Sequence, residues 1–403
     1  MDKLPRTFLL LIAFAMTIFQ PAHAASAADP EQSKLDLDLR YRYELVDQDG
    51  FGKDAQASTL RTRLAYRSPD NSNFGFLFEL DDIRSIGNDL YNSTRNGNTD
   101  RPVVADPEGT DVNQALILYR GIENTVIRAG RQRITLDNHR FIGDVGWRQN
   151  DQTYDGLSLT NTSLPETTIE YAYIDQVNRI FGPDSGAPPA DFQSDSHILN
   201  VRHEMSPNWD VTAYAYFLDL RNAPALWNKT LGIRTSGSNT VSDRISISYT
   251  MEYAHQNNYG DNPNNYNADY ILLEGALTAG GVTWKLGYEV LEGNSTQAFR
   301  TPLGTLHAFQ GWADKFLATP ADGIEDLYFS IATKVRGANI ALIYHRFSPE
   351  AGGPDYGNEW NLMIKKPLTE HYSMVLKYAN YDARSFAADT EKAWVMLTAK
   401  FGN

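Results

Sequence analysis

The chain has 403 residues, no cysteine, 42% hydrophobic residues, and 36 basic against 50 acidic side chains, a formal charge of −14. Without cysteine there is no disulfide framework, thiolate metal site or cysteine nucleophile. The acidic balance excludes a nucleic-acid partner, since phosphate binding needs a basic face. The hydrophobic content is too high for a disordered chain, and the length suits one very large domain or two to three ordinary ones.

Residues 1–24 read as a secretory signal: Lys3 and Arg6 precede an apolar stretch from Phe8 to Phe19, and Ala22-His23-Ala24 gives a small-x-small cleavage site. The stretch is shorter than the ~20 apolar residues a membrane-spanning helix needs. Removing it leaves residues 25–403 with 34 basic and 49 acidic residues, 34 − 49 = −15.

From Leu35 onward the pattern has period two, which places alternate side chains on opposite faces of a strand. In the first segment Leu35, Leu37, Leu39, Tyr41, Tyr43 and Leu45 share one face, and Asp36, Asp38, Arg40, Arg42 and Glu44 share the other. The second sets Leu60, Thr62, Leu64 and Tyr66 against Arg61, Arg63 and Arg67. Clear later cases are Ile245 to Tyr253 and Val282 to Val290. Eighteen strands are predicted, near 35–46, 56–69, 74–84, 110–120, 124–132, 152–161, 165–176, 195–204, 208–220, 228–235, 241–257, 265–278, 281–293, 325–335, 338–346, 356–366, 370–382 and 391–401. Sixteen is the alternative count, because 110–120 and 208–220 alternate poorly.

Every second connection is tight and the others are mostly long, as expected when one rim of a barrel carries turns and the other carries loops. A soluble sandwich has no reason for that alternation. The expected fold is therefore all-β: a transmembrane, antiparallel, up-and-down barrel that closes because lipid cannot satisfy a free strand edge. Val395, Leu397, Ala399 and Phe401 end the chain as an apolar face with an aromatic, followed by Gly402 and Asn403.

Sorting strand residues by face sends Arg40, Arg42, Arg61, Arg63, Arg67, Arg128, Arg202, Arg234, Lys285, Lys334, Lys365 and Lys377 inward with nine acids, 12 − 9 = +3. A basic lumen favours anions, because a guanidinium offers a planar fork of donors and stays charged. The alternative is that inward acids and bases pair into a polar filling. Arg40, Arg42, Arg61 and Arg63 cluster on adjacent strands, where like charges look too numerous to be fully paired. His197 and His203 share a strand face but lack a third ligand, and no GxSxG, P-loop or GxGxxG motif occurs. No enzyme, cofactor or metal is expected.

Two stretches resemble the alginate-export family of outer-membrane porins: Arg128 through Gln132 running on to Asp137-Asn138-His139-Arg140-Phe141-Ile142-Gly143, Trp147-Arg148-Gln149-Asn150 and Tyr154-Asp155-Gly156, and the run from Leu306 to Leu317 followed by Thr319-Pro320. The resemblance implies an eighteen-stranded monomeric barrel in outer-membrane lipid of a Gram-negative bacterium, with an arginine-lined conduit for an acidic polysaccharide or sugar acids. By motif position it nominates Arg128, Arg131, Arg133, Asn138, His139, Arg140 and Arg148, beside the inward Arg40, Arg42, Arg61, Arg63 and Lys285, with a loop after the fifth strand folding inward. Alginate exporters of the family carry a long periplasmic loop between strands sixteen and seventeen, where this chain has only Lys366-Pro367-Leu368-Thr369. The expected function is an outer-membrane porin for passive diffusion of anionic or small polar solutes. The alternatives are an exporter of an anionic polysaccharide working with a secretion apparatus, or a closed barrel serving as adhesin or enzyme.

Overall fold

The computed structural model describes residues 33–69 and 73–402. The signal reading over 1–24 lies outside them. Eighteen strands follow in chain order: β1 Lys34–Gln48, β2 Ala55–Arg67, β3 Phe74–Ser85, β4 Gly109–Ile122, β5 Thr125–Gln132 and β6 Thr153–Asn161. Next come β7 Thr167–Asn178, β8 Asp191–Ser206, β9 Trp209–Leu218, β10 Asn228–Ser242, β11 Ile245–Asn258 and β12 Asn267–Ala279. The wall ends with β13 Val282–Leu291, β14 Ile324–Val335, β15 Ala338–Ser348, β16 Gly357–Pro367, β17 Tyr372–Ala383 and β18 Thr390–Gly402.

Each strand pairs antiparallel with its sequence neighbours, and β1 pairs with β18 from Asp36↔Gly402 to Gln48↔Thr390, so the sheet closes. Closure leaves no edge unpaired in lipid. Of the outward set predicted from period two, Leu35, Leu64, Ile245, Ile247, Met251, Tyr253 and Leu286 are exposed, whereas Val290 at the loop end of β13 is buried; Phe76, Phe78, Ile117, Leu157, Ile233, Leu273 and Phe329 extend the apolar exterior. Much of the inward set is buried, with Arg42, Glu44, Glu79, Asp81, Glu252, Glu289 and Glu359 at most 5% exposed, while Lys285 and Arg202 nearer the turn rim stay accessible. Charge inside and hydrocarbon outside is the inverse of a soluble fold and defines a membrane barrel.

Replacing Leu286, 58% exposed at the centre of β13, by arginine is expected to destabilise the barrel by about 2–4 kcal/mol. Equilibrium unfolding by guanidinium in lipid vesicles measures this.

The rim at which β1 begins and β18 ends carries the short connection from β2 to β3 and turns at 123–124, 162–166, 207–208, 243–244, 280–281, 336–337 and 368–371. The other rim carries nine loops, of which the third (133–152, here L3) and the seventh (292–323, here L7) fold into the barrel. β10 differs most from expectation, running to Ser242 where a turn was predicted after 235. Its small polar residues look like turn chemistry, but Gly237 pairs with Tyr249, whose ring covers the place a side chain would take. An aromatic across a strand glycine restores the packing that glycine lacks. The poor alternation in β4 has a local cause, a register shift against β3 at Glu79/Leu80. In β9 the inward Tyr214, Tyr216 and Leu218 are as apolar as the outward face, because they pack on L3 rather than on water.

Candidate functional site

The inward faces of β1 and β2 put Arg40 directly opposite Arg61 and Asp38 opposite Arg63. Like charges facing each other across strands repel, so such a pair persists only with acids close by. L3 supplies them. Asp151 contacts Arg133 (2.6 Å), Arg63 (2.9 Å) and Arg61 (3.7 Å). Burial alone would raise its carboxyl, yet Arg63, Arg133 and Arg61 hold it well below the usual range. Arg63 also grips Asp81 (2.5 Å), and Arg61 reaches Asp38 (3.0 Å).

Arg42 binds Glu44 (2.8 Å) and Asp106 of the second loop (3.5 Å), lies 4.3 Å over the Trp147 ring and donates to the Trp147 carbonyl. Arg40 binds main chain and amide instead: Gln149 Oε1 (3.0 Å), the Gly146 carbonyl (2.9 Å) and the Arg148 carbonyl. The arginine cluster is therefore far more completely paired than its sequence suggested. The loop carboxylates Asp106 and Asp151, invisible to a strand-face count, complete the pairing that Asp38, Glu44 and Asp81 begin.

L3 crosses the lumen. One end is held on β1 and β2 by these arginines and by Gln149, which donates to Thr59 Oγ1 (2.9 Å). The other end reaches the opposite wall, where Phe141 packs on Tyr214 of β9 and Tyr270 of β12, with ring centroids 5.5 and 5.2 Å away. Asn200 of β8 donates to Asp137 (2.7 Å). Arg140 pairs with Glu289 of β13 (2.7 Å) and donates to Gln310 (3.1 Å) and Thr301 (3.3 Å) of L7. The Asn138 side chain accepts the Arg140 amide (3.3 Å), and His139 packs edge-on to Phe309. Burial lowers the His139 pKa below its ordinary value, with Asp144 acting weakly the other way. The inward fold expected for the loop after the fifth strand is present.

L7 lies against L3. Ile142 bridges Leu303 in parallel, and the Thr305 amide donates to the His139 carbonyl (2.9 Å). Beyond the 3-10 turn Leu306–Ala308, Asp314 is the hub: Lys392 of β18 (2.7 Å), Arg148 of L3 (3.2 Å) and His307 Nδ1 (2.7 Å) all converge on it. The amides of Trp312 and Ala313 donate to Glu359 of β16. The Lys377 ammonium of β17 donates to His307 Nε2 (2.8 Å) over the faces of Trp312 and Trp147, at 3.7 and 4.0 Å. Cation–π attraction of this kind is worth about 2 kcal/mol when desolvated.

Several nominated residues fall elsewhere. Arg131 alternates with the inward Gln132 and pairs with Asp155 (2.8 Å) and Asp111 (3.5 Å), so β5 puts it on the outer face near the loop rim and it leaves the lumen set. Arg133 faces inward on Glu79 and Asp151. Arg128 donates only to Thr160 Oγ1 (3.2 Å) on the turn side of the lumen and meets no carboxylate at salt-bridge distance among the described residues. Lys285 pairs with Glu274 (2.7 Å) but stays 39% exposed. His197 and His203 point outward to separate partners, Tyr171 and Thr167. The residues that sequence reasoning missed are Asp314, Lys392, His307 and the three tryptophans 147, 312 and 394. Their signal was a long, otherwise solvent-type loop holding buried-type residues such as Trp312.

A closed eighteen-stranded barrel with an apolar exterior and a polar interior crossed by two loops is an outer-membrane β-barrel of the transport type. A family model described as alginate export matches residues 31–307, well over half of the chain, and the protein belongs to that family. Its description is one of transport, not catalysis. The fold is similar to OccAB4 of Acinetobacter baumannii (TM-score 0.74, 14% identity, covering 93% of this chain and 99% of that one). It is equally similar to OpdK of Pseudomonas aeruginosa solved with vanillate (0.74, 14%, 93% and 100%) and to OccAB2 of A. baumannii (0.74, 16%, 94% and 100%). No curated protein matches the chain.

Proposed function

We propose that this protein is a passive diffusion channel for small anionic and polar solutes, sugar acids among them, working as a monomer in the outer membrane after removal of residues 1–24. The observation that carries the proposal is L3, a loop that crosses the lumen of a closed barrel with guanidinium groups at both ends, Arg140 on one wall and Arg40, Arg42 and Arg61 on the other. L3 limits the size of what passes, and accessible cations along the path raise the local concentration of anions. Toward the turn rim, cations with free donors continue the path: Arg128, Lys285 and Arg202, the last two 39% and 50% exposed. The likeness of fold to OpdK, solved with the carboxylate vanillate, supports the same class of solute.

Export of an anionic polysaccharide is the second reading, favoured by the family's description. The four-residue turn 368–371 stands where exporters of the family carry a long loop, and diffusion of small solutes is the better fit.

Vesicles containing the refolded protein are expected to swell faster in sodium glucuronate than in glucose, and Arg128→Ala is expected to slow the glucuronate rate alone. Equal rates would defeat the anion preference. No swelling in either solute would defeat the channel.

A further inference from the structure

Three basic side chains converge on Asp314. It is a buried side chain on L7, held by Lys392 (2.7 Å), Arg148 (3.2 Å) and His307 (2.7 Å). Around it four cations, Arg42, Arg148, Lys377 and Lys392, meet four carboxylates, Glu44, Asp106, Asp314 and Glu359, the last acting on Lys377 and taking the Trp312 and Ala313 amides. Withdrawing L7 removes one acid and leaves 4 − 3 = +1 on the wall, the second loop and L3. A buried positive site of that kind needs an anion in place of the one withdrawn.

Two further observations separate L7 from L3 as the part that leaves. L3 is fixed through its main chain, since Arg40 and Arg42 bind the carbonyls of residues 146, 147 and 148. The inner part of L7 is held by side chains at Asp314, His307 and Gln310, and its main chain reaches the wall at one carboxylate, Glu359, which takes the Trp312 and Ala313 amides. Asp314 also has φ +60°, in the left-handed region that aspartate adopts as a single residue. Beside the site the buried Trp394 indole N–H has no acceptor among the described residues, a donor open to an incoming oxygen.

We propose that Asp314 is a built-in mimic of the solute: its carboxylate occupies the site at which a carboxylate-bearing solute binds, and such a solute opens the channel by displacing L7. The inference rests on the channel reading and adds a solute class, a binding site on Lys392 and Arg148, and a gate. The reaction is an exchange of one carboxylate for another on the same cations, so it needs no co-reactant.

The test is planar-bilayer recording of the full mature chain and of Asp314→Asn, with D-glucuronate and with glucose as the neutral control. The wild type is expected to conduct weakly in chloride and several-fold more as glucuronate is added, while glucose has no effect. Asp314→Asn is expected to conduct at the raised level from the start and to ignore glucuronate. Equal conductance and equal glucuronate response in the two proteins would overturn the gate and leave the channel standing. Absence of conductance from both in every solution would overturn the channel reading and the gate together. Should the variant fail to fold, the wild type alone decides: glucuronate is expected to increase acrylamide quenching of tryptophan as Trp312 leaves its site, and unchanged quenching would overturn the proposal.

Discussion

Replacing Arg140 with alanine is expected to undock L3 from L7 while the barrel stays closed. The guanidinium is 2% exposed and joins three elements at once, Glu289 of the wall, Thr301 and Gln310 of L7, and its own loop. Removing one partner of a buried ion pair leaves the other charge uncompensated and costs about 3–5 kcal/mol. Tyr270 still donates to Glu289 (2.9 Å), which places the loss near the lower end. The wall is untouched, because its strand ladders do not pass through this side chain. The expected readouts are protease cleavage within L3 and L7, at unchanged heat-modifiable mobility of the barrel, and raised conductance. Arg140→Lys is expected to behave much like the alanine variant, since a point charge cannot serve three acceptors from one planar fork. Resistance to protease in both variants would show that the apolar contacts of Phe141 and Phe299 dock the loops unaided.

Acid is expected to loosen L7. His307, outside the strands, is buried and has its pKa depressed to about 3, first by burial and next by the Lys377 ammonium, with Asp314 opposing. The groups facing it are Asp314 on its own loop, Lys377 of β17, Arg148 of L3 and the rings of Trp147 and Trp394. In the docked state the imidazole is neutral, with Nδ1–H donating to Asp314 and Nε2 accepting from Lys377. With L7 released, His307 returns toward its ordinary pKa of about 6.5 and binds a proton.

Through His307 the released state takes up more protons, and this group weakens docking as pH falls below about 6.5, by at most about 1.4 kcal/mol per unit, until the docked imidazole itself protonates. Asp314 acts in the same direction only at lower pH, because burial raises its carboxyl less than Lys392 and His307 lower it. Lys315, depressed to about 8, stops titrating in the docked state before the histidine range is reached. Conductance is expected to change little around pH 7 and to rise between pH 6 and 4. His307→Gln is expected to abolish that rise. A wild-type conductance independent of pH from 8 to 4 would contradict the arrangement.

The barrel was legible in the sequence because lipid imposes a strict rule. Every second residue of a spanning strand must be apolar, so Leu35 to Leu45 and Val282 to Val290 announce both the strand and its faces. The rule fails where the environment changes. β9 lost its alternation because L3 gives it an apolar interior, and the extension of β10 was hidden by a glycine that Tyr249 covers.

Half of the site was legible, the wall half: Arg40, Arg42, Arg61, Arg63 and Lys377 follow from strand parity. Their partners Asp106, Asp151 and Asp314 lie in loops, whose paths no periodicity encodes, so the pairing of the arginines and the meeting of Ile142 with Leu303 stayed out of reach. Arg131 marks the reverse error. Motif position nominated it for the lumen, and a single step along β5 turned it outward.

Reversal potential across a potassium chloride gradient, recorded on single channels of the refolded chain in a planar bilayer, addresses the central claim most directly. Stepwise conductance with a reversal potential on the chloride side is expected from a lumen narrowed by L3 whose accessible cations, Arg128, Lys285 and Arg202, line the path to the turn rim. Potassium preference, or no conductance from correctly folded protein, would contradict it.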